Sequence, residues 1–463
     1  MGSKFETRLL GELCHEITVG FVGSMTNEYI ETGIPFLRSK NIDEYNVKWD
    51  DMKYISSEFH KKLSKSALKS GDVAIVRTGK PGTTCVIPDS LHEANCSDIV
   101  IARVNNELLC PHYLSYFMNA MAHGQINAHV VGAVQQHFNV SSAKKLEIPL
   151  PSRTIQIGIV QVLKVLDDKL KLNRQINQTL EHMAQALFKS WFVDFDPVVD
   201  NALDAGFFEQ NSDLPEALLR RAEQRKAVRQ RPDFKPLPAE TRQLFPAAFK
   251  ESEESSLGLG GWVPKGWELG HLSDIAGYGS KRVDVLNLTV DNYISTENML
   301  PDRKGVQPAS NLPTLNSVPA YTNRYVLVSN IRPYFKKIWL ASGDGGYSND
   351  VLGFESKNAG DEHFLFNLLY QDVFFDFMMA TSKGSKMPRG DKKTILSWEL
   401  VIPPLLLRKF FSTNVSHFYE SMTHRNNECN TLSQLRDTLL PKLIAGELRL
   451  NDNALAADVD NND

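Results

Sequence analysis

Two glycine-containing polar loops in different parts of the chain concentrate cations, amides and small hydroxyls. Residues 381–389 read Thr-Ser-Lys-Gly-Ser-Lys-Met-Pro-Arg, and residues 132–139 read Gly-Ala-Val-Gln-Gln-His-Phe-Asn. Glycine lets a backbone approach phosphates, Gln and Asn can pair bidentately with adenine, and Arg can pair bidentately with guanine. An ordinary solvent-exposed loop is the alternative for each. The predicted DNA contacts are Gln135, His137, Asn139, Lys383, Ser385, Lys386 and Arg389.

A second pair of cation clusters follows predicted β-strands. Residues 77–80 (Arg-Thr-Gly-Lys) follow one strand, and residues 330–337 (Asn-Ile-Arg-Pro-Tyr-Phe-Lys-Lys) follow another. Rings beside Lys and Arg suit nucleic acid, because bases stack on rings and cations neutralise phosphates. Core aromatics with solvated cations are an equally good interpretation. The candidates are Arg77, Lys80, Arg332, Lys336 and Lys337.

A third pair of segments adds two further candidates, Arg38 and Lys40. Residues 38–41 (Arg-Ser-Lys-Asn) correspond to residues 295–298 (Ser-Thr-Glu-Asn) in the second half. Glu297 weakens the phosphate-binding character there, although a carboxylate can accept from the amino group of cytosine.

These loops correspond because the chain repeats an ordered series of features about 252 residues later. In each half a polar loop leads into a β-like run, a proline and a long amphipathic helix. Exact identities are few, so the signal lies in the order. Pairs with this spacing include Asp98 and Asp350, Gly132 and Gly384, Pro151 and Pro403, and Leu180 and Leu432.

Two long helices are predicted from apolar residues at steps of three and four. The first covers residues 152–195, with Ser152 as its cap. Its stripe is Ile155, Ile159, Val162, Leu166, Ile176, Leu180, Met183 and Leu187, interrupted by Lys169 and Asn173. The second covers residues 405–448, with the stripe Leu407, Phe411, Asn414, Phe418, Leu432, Leu435 and Leu439 around the polar residues Ser421, Arg425 and Glu428.

A heptad stripe with a polar centre fixes partner and register at some cost in stability. Two stripes in the same phase indicate that the helices pack together as an antiparallel or pseudo-twofold pair. The residues leave open whether the polar centres satisfy each other or a partner's helices.

Shorter elements are predicted on either side of the helices. In the first half, residues 71–77 are predicted to form a turn that leads into a strand. Two more strands are expected at residues 85–88 and 99–104, and a helix at residues 111–122. In the second half, strands are expected at residues 325–331 and 338–340, and one buried helix at residues 364–380. Residues 196–260 are rich in proline, alanine and charge, which predicts a linker with one short helix. Their basic stretch at residues 220–231 is interpreted as a solvated helix face, with a phosphate contact as the alternative.

The fold class predicted is α+β, with two similar globular α/β domains separated by two long antiparallel helices. The domains are expected at residues 1–150 and 261–402. The helices occupy residues 151–198 and 403–450, the linker residues 199–260, and a disordered acidic tail residues 451–463.

Composition and missing motifs argue against catalysis and against a membrane protein. The net charge of −4 excludes a globally basic nucleic-acid binder, so DNA contacts must come from local clusters or from partners. Five widely spaced cysteines fit neither a zinc site nor a disulfide framework. The sequence has no phosphate-binding Walker loop, dinucleotide fingerprint, zinc-protease motif or nucleophile elbow. Without a signal region or a long apolar stretch, the chain is predicted to be cytoplasmic.

The order domain, helix, domain, helix resembles the DNA-specificity subunit of Type I restriction–modification enzymes. The resemblance covers nearly the whole chain. It rests on residues 329–337 with 348–351, the loop 384–388, the helix entry Ile402-Pro403-Pro404, the opening Trp-Val-Pro-Lys-Gly-Trp at 262–267, and the end of the second helix at 435–448. The first half lacks the Pro-x-Gly-Trp opening, and its loop is atypical.

The resemblance implies that each domain is a target recognition domain reading one half of a split double-stranded DNA target. The helices would set the spacer and dock two modification subunits. The chain would be non-catalytic and hold no cofactor. S-adenosylmethionine would belong to the modification subunits, which methylate adenine, and ATP and Mg²⁺ to restriction subunits that join the complex.

Two other functions remain open from the residues alone. A DNA methyltransferase with its own active site would bind S-adenosylmethionine in isolation. A coiled-coil scaffold without a DNA role would agree with the acidic net charge.

Overall fold

The computed structural model describes residues 5–129, 137–211, 213–384 and 386–450. The chain divides into two compact units. Unit 1 comprises Met1–Asn173 and Asn427–Asp463, and unit 2 comprises Arg174–Asn426. Each unit contains one sheet-rich domain and segments of both long helices. Unit 1 is built from two separate stretches of chain, whereas unit 2 is one continuous stretch.

Unit 1 begins with short strands, which are joined by turns and one short helix. The strands are β1 (Thr7–Leu9), β2 (Cys14–Val19), β3 (Ile34–Leu37), β4 (Ile42–Asp43), β5 (Asn46–Val47), β6 (Lys53–Ile55), β7 (Ala67–Leu68), β8 (Val73–Val76), β9 (Thr84–Val86), β10 (Ala94–Cys96), β11 (Ile99–Val104) and β12 (Glu147–Pro149). The helices are α1 (Ser57–Lys62), α2 (Pro111–Ala120), α3 (His123–His129), α4 (Val140–Lys144) and α5 (Arg153–Phe188), of which α5 continues into unit 2.

Two four-stranded sheets form the domain of unit 1, in the orders β2-β11-β8-β9 and β6-β3-β10-β7. The central strands β8 and β11 are antiparallel, with Ile99 opposite Val76 and Ala102 opposite Val73. Their side chains alternate between two cores, one beneath the helices and one facing strands β7 and β10. Burial on both faces explains why these strands read as continuous apolar runs.

Unit 2 begins within α5, which a π-helical turn at Lys189–Val193 extends. Its further helices are α6 (Asp196–Asp204), α7 (Phe207–Gln210), α8 (Glu216–Arg229), α9 (Ala239–Arg242), α10 (Leu272–Ile275), α11 (Glu362–Leu369), α12 (Asp372–Ala380), α13 (Lys392–Leu396) and α14 (Leu405–Ile444). Its strands are β13 (Phe249–Glu251), β14 (Trp262–Pro264), β15 (Glu268–His271), β16 (Ala276–Tyr278), β17 (Arg282–Asp284), β18 (Tyr293–Ile294), β19 (Ser317–Tyr321), β20 (Val326–Ser329), β21 (Ile338–Leu340), β22 (Gly345–Tyr347), β23 (Val351–Ser356) and β24 (Glu399–Ile402).

The sheets of unit 2 repeat those of unit 1. The order β16-β23-β20-β21 corresponds to β2-β11-β8-β9, and β15 pairs with β24 as β1 pairs with β12. In the second sheet, the parallel pair β18 and β22 next to β19 corresponds to β3 and β10 next to β7, and only the outer strand differs. The internal repeat and the α+β class predicted from the sequence are therefore confirmed.

The two long helices run antiparallel within each unit. In unit 1, Asp167 of α5 pairs with Arg436 of α14 at 3.0 Å, and Asn173 donates to Glu428 at 2.7 Å. In unit 2, the amide of Asn177 donates to Asn426 at 2.8 Å. The residue numbers of the α14 partners decrease as those of the α5 residues increase, so the two helices are antiparallel. The predicted polar centres therefore satisfy each other, at least through these pairs.

The predicted phase of the apolar stripes is wrong by one residue in places. Val162 is 36% exposed and Met183 is 49% exposed, whereas Leu163 is fully buried. On α14, Leu435 is 44% exposed and Leu440 is buried. Each helix packs against its own domain as well as against the other helix, so its buried face is wider than one heptad stripe.

The segment predicted to be a linker with one short helix instead contains α6 to α9 and β13. Its apolar residues, among them Val198, Leu218 and Phe249, join the hydrophobic core of unit 2. The basic stretch lies on α8, where Arg221 and Arg225 pair with Asp196 and Asp200 of α6. The prediction of one short helix is wrong because it relied on composition, whereas these helices are held by ion pairs between two segments.

The predicted helix at residues 364–380 is two helices. The first, α11, ends at Leu369, and α12 begins at Asp372. Tyr370 and Gln371 separate them, and both helices bury aromatic residues in the same core, which explains the uninterrupted apolar pattern.

Candidate nucleic-acid interface

Three loops of unit 2 are joined by main-chain and amide hydrogen bonds. The backbone N–H of Asn330 donates to the carbonyl of Asp350 at 2.8 Å, and that of Arg332 donates to the carbonyl of Pro388 at 2.9 Å. The Asn330 side-chain amide donates to the Gly390 carbonyl at 3.1 Å. A Cβ on Gly390 would lie 2.7 Å from Ile395 Cδ1 and 2.9 Å from Asn330 Oδ1, so a larger residue would displace these two side chains. The loops that the sequence singled out separately therefore form one surface.

Arg332 lies at the centre of this surface. The side chain is half-buried, and its Nε has no hydrogen-bond acceptor among the described residues. A buried donor without an acceptor costs roughly 1–3 kcal/mol, more when the group is charged. Asn330 Oδ1 and Ser348 Oγ, on neighbouring loops, are likewise buried without partners among the described atoms.

Other predicted cations of unit 2 already have partners. Lys336 pairs with Asp372 at 2.7 Å, and Arg389 pairs with Asp350 at 2.7 Å. Lys337 Nζ donates to the carbonyl of Thr296 at 2.6 Å, and burial lowers the pKa of this amine. The ion pairs and hydrogen bonds of these cations hold the loops in position, so only part of their positive charge is available to a ligand.

The glycine loop of unit 2 keeps exposed cations. Lys383 and Lys386 are exposed, and Gly384 has φ 100°, a left-handed conformation that favours glycine. The main chains of Lys383 and Arg389 exchange two hydrogen bonds of 3.0 Å, closing the loop into a narrow turn. Ser385 lies outside the described residues.

In unit 1, Asp98 organises the corresponding loops. The Ser39 hydroxyl donates to the main-chain carbonyl of Asp98 at 2.7 Å, and the Thr78 hydroxyl donates to its carboxylate. Asp98 and Asp350 directly precede β11 and β23, so they occupy the same place in the two sheets. Neither acid was among the predicted site residues, although their spacing of 252 was visible in the sequence.

Arg77 and His137 of unit 1 lie on neighbouring loops, because the backbone N–H of Phe138 donates to the carbonyl of Arg77 at 3.1 Å. Arg77 Nε and His137 Nδ1 are buried without partners among the described residues. Lys80 is exposed in the same turn as Arg77. Gln135 lies outside the described residues.

Asn139 has a structural role that the sequence reasoning missed. Its side-chain oxygen accepts from the backbone N–H of Ser142 at 2.9 Å and caps α4. Asp391 caps α13 in the same way, 252 residues later. Bidentate pairing with adenine needs both the oxygen and the amino group of an Asn, so Asn139 could make that pairing only by giving up the cap.

The third predicted pair of segments also has matching geometry. Asn41 accepts from the backbone N–H of Arg38 at 3.1 Å, and Asn298 accepts from that of Ser295 at 2.6 Å. Arg38 and Lys40 both pair with Asp51, and hydrogen bonds from Lys40 and Lys53 hold the pKa of Asp51 well below its usual range. The charge of this segment is therefore partly neutralised inside the unit.

The described residues contain no cluster of three His, Cys, Asp or Glu side chains that could hold a metal ion. Within the same residues, none of the helices has the length and apolar character that a membrane crossing needs.

Comparisons with known proteins show which proteins the chain resembles. Residues 2–182 match the family model described as the Type I restriction modification DNA specificity domain. The Type I restriction enzyme HindI specificity subunit of Haemophilus influenzae is 26% identical over 430 residues, which cover 83% of this chain and 88% of that protein. The MjaIX specificity subunit of Methanocaldococcus jannaschii is 23% identical over 327 residues, covering 67% of this chain and 63% of that protein.

The fold is shared with a solved structure. A crystal structure of the Type I restriction–modification system S subunit from M. genitalium aligns with a TM-score of 0.52 at 13% identity, covering 95% of this chain and 96% of that one. Residues 2–182 are therefore similar to the Type I restriction modification DNA specificity domain, and most of the chain is similar to Type I restriction enzyme specificity subunits.

Proposed function

We propose that this chain is the subunit that reads DNA sequence in a Type I restriction–modification complex. Each unit contacts one half of a bipartite double-stranded target through its loops. The paired helices set the spacing between the half-sites and dock two modification subunits. The chain itself carries out no chemistry. S-adenosylmethionine belongs to the modification subunits, and ATP and Mg²⁺ belong to the restriction subunits.

One observation carries the proposal. In both units an arginine in the loop after the corresponding sheet strand is half-buried and has an Nε without an acceptor among the described residues. Arg77 follows β8, and Arg332 follows β20. Guanidinium groups bind guanine edges and phosphates through paired hydrogen bonds, so a half-buried arginine at this place in both units is suited to contact duplex DNA.

Neighbouring groups support the same ligand. The exposed amine of Lys80 adds positive charge to the loop of Arg77, and those of Lys383 and Lys386 add it to the glycine loop that is hydrogen-bonded to Arg332. Polyanionic DNA binds such local clusters even though the whole chain has a net charge of −4.

The experiment uses this chain assembled with its modification subunits. Fluorescence anisotropy measures binding to the cognate duplex and to a scrambled duplex between 50 and 200 mM salt, a range chosen because phosphate contacts make affinity strongly salt-dependent. The variants Arg77→Asn and Arg332→Asn each remove one guanidinium, and Asn tolerates the φ of 51° at position 332.

Each variant is expected to raise Kd for the cognate duplex roughly 5- to 150-fold if the arginine reads a base edge. A variant that loses only a phosphate contact should instead reduce, by about 0.9, the steepness with which the logarithm of the binding constant falls with the logarithm of the salt concentration. Lys265→Asn is the matched control, because Lys265 is exposed elsewhere in unit 2. Equal binding of cognate and scrambled DNA by the wild-type complex would contradict the proposal, and an unchanged Kd for both arginine variants would reject these residues.

A further inference from the structure

Unit 2 exposes two aromatic rings beside Arg332. Tyr334 and Phe335 lie in a single turn of 3-10 helix at Pro333–Phe335, directly after the loop that follows β20. They are 48% and 37% exposed, and their ring centroids are 4.6 Å apart with planes at 52°. Neither ring belongs to a hydrophobic core of unit 2. Exposed aromatic pairs of this kind are typical of binding surfaces.

The turn that carries the rings is held in a conformation that side chains disfavour. Arg332 and Lys336, on either side of it, have φ values of 51° and 49°. Asp302 and Arg303, in the loop packed against it, have φ values of 55° and 61°. Non-glycine residues adopt this region rarely, and several together persist only where the surrounding structure enforces them, often at functional sites.

The neighbouring loop braces the turn. The backbone N–H of Asp302 donates to the carbonyl of Phe335 at 2.8 Å, and that of Arg303 donates to the carbonyl of Lys336 at 3.0 Å. The carboxylate of Asp372 pairs with Arg303 and, at 2.7 Å, with Lys336. Main-chain hydrogen bonds and ion pairs therefore fix the turn that carries the two exposed rings.

The surroundings of the rings indicate their occupant. Arg332 precedes the turn, and the Lys337 amine lies 5.8 Å from the centroid of Phe335. Met387, 53% exposed, precedes Pro388, whose carbonyl accepts from the Arg332 N–H. Apolar side chains framed by cations fit a duplex whose phosphates meet the cations while the rings enter the stack of bases.

We propose that Tyr334 and Phe335 form an aromatic wedge that inserts between neighbouring base pairs of the half-site read by unit 2 and unstacks them. This inference rests on the proposed function and adds a local distortion of the DNA to it. The corresponding turn of unit 1, Thr78-Gly79-Lys80-Pro81-Gly82, contains no aromatic residue. We therefore expect this turn to distort only the half-site read by unit 2.

The test measures unstacking base by base. The cognate duplex is defined first, from the methylated positions in DNA of cells expressing the complex. Then 2-aminopurine, whose fluorescence rises when it is unstacked, is placed at successive positions in both half-sites, away from the methylated adenines. The complex of this chain with its modification subunits is added at saturating concentration.

The wild-type complex is expected to raise the fluorescence several-fold at one step of the half-site read by unit 2, and nowhere in the other half-site. The variant Tyr334→Ala/Phe335→Ala should lose this rise and bind the cognate duplex about tenfold more weakly, as expected from losing base–aromatic contacts. Tyr334→Phe should keep the rise. Leu286→Ala, which removes a side chain that is 92% exposed in the same unit, is the matched control and should behave as wild type.

Three results would overturn the wedge. The wild-type complex could select the cognate duplex without any such rise, or the double variant could retain the rise. The double variant could also lose its modification subunits, measured by native mass, which would assign the rings to a protein contact. Failure of the proposed function looks different, because the wild-type complex would then bind cognate and scrambled duplexes equally.

Discussion

Replacing Leu163 with alanine tests which face of α5 is buried in unit 1. Leu163 is fully buried in a core that also contains Leu114 and Leu440, whereas its neighbour Val162 is 36% exposed. The sequence periodicity favoured Val162 as the buried position. The two alanine variants therefore separate the observed face from the predicted one.

The expected magnitude follows from burial. Leu163→Ala removes about three methylene equivalents, worth about 0.8 kcal/mol each, and leaves a cavity, so unit 1 should lose about 3 kcal/mol. Val162→Ala removes less, from a partly exposed position, and gains roughly 0.5 kcal/mol of helix propensity. Its net effect should stay below about 1 kcal/mol.

Hydrogen exchange followed by mass spectrometry measures each unit separately within the full chain. Leu163→Ala should speed exchange in β8 by about 100-fold, the factor that about 3 kcal/mol predicts, and leave β20 of unit 2 unchanged. Val162→Ala should change β8 less than about fivefold. Equal effects of the two variants, or a larger effect at Val162, would refute the reasoning.

Three further predictions concern buried charge in unit 2. Burial lowers the pKa of His363 from 6.5 to about 4, so the unfolded chain binds the proton first as the pH falls. The free energy of unfolding, measured with urea, should therefore drop by about 3 kcal/mol between pH 7 and pH 4. In the variant His363→Phe, the same free energy should depend less on pH over that range. The Arg408–Asp361 ion pair is buried, so Arg408→Ala should lower the free energy of unfolding by about 3–5 kcal/mol in the same assay. The double variant Arg408→Met/Asp361→Asn should recover much of this stability. If it recovers none, packing and not charge determines the loss. Arg221→Ala should destabilise unit 2 by about 1–2 kcal/mol, because it removes a partner of Asp194 and Asp196. Arg220 is exposed, so Arg220→Ala should leave the stability unchanged. Weaker DNA binding by either variant would support a phosphate contact by this helix.

Much of the architecture could be predicted because it depends on near neighbours in the chain. The apolar run at Ile99–Val104 is a strand with the predicted bounds, and α2 begins at Pro111 as expected. Spacings of 252 to 254 residues relate β11, β8 and β9 of unit 1 to β23, β20 and β21 of unit 2. Local pattern also placed the long helices to within a turn or two at their ends.

The interface was predicted as loops, but not as an arrangement of charges. The sequence marks Arg332, Lys336 and Arg389 as equivalent cations. Folding gives Lys336 and Arg389 carboxylate partners and leaves the Nε of Arg332 without an acceptor among the described residues. Those partners, Asp372 and Asp350, lie 36 and 39 residues away in the chain.

The amino-acid order alone is sufficient for the duplication, the two helices and the polar loops, because periodicity, turn chemistry and strand propensity act over a few residues. Folding in three dimensions settles which helix face is buried, where the basic residues of α8 find their acids, and which cations stay available for a ligand. Each of these depends on segments that are distant in the chain and adjacent in space, and Coulomb and packing energies act on that spatial separation.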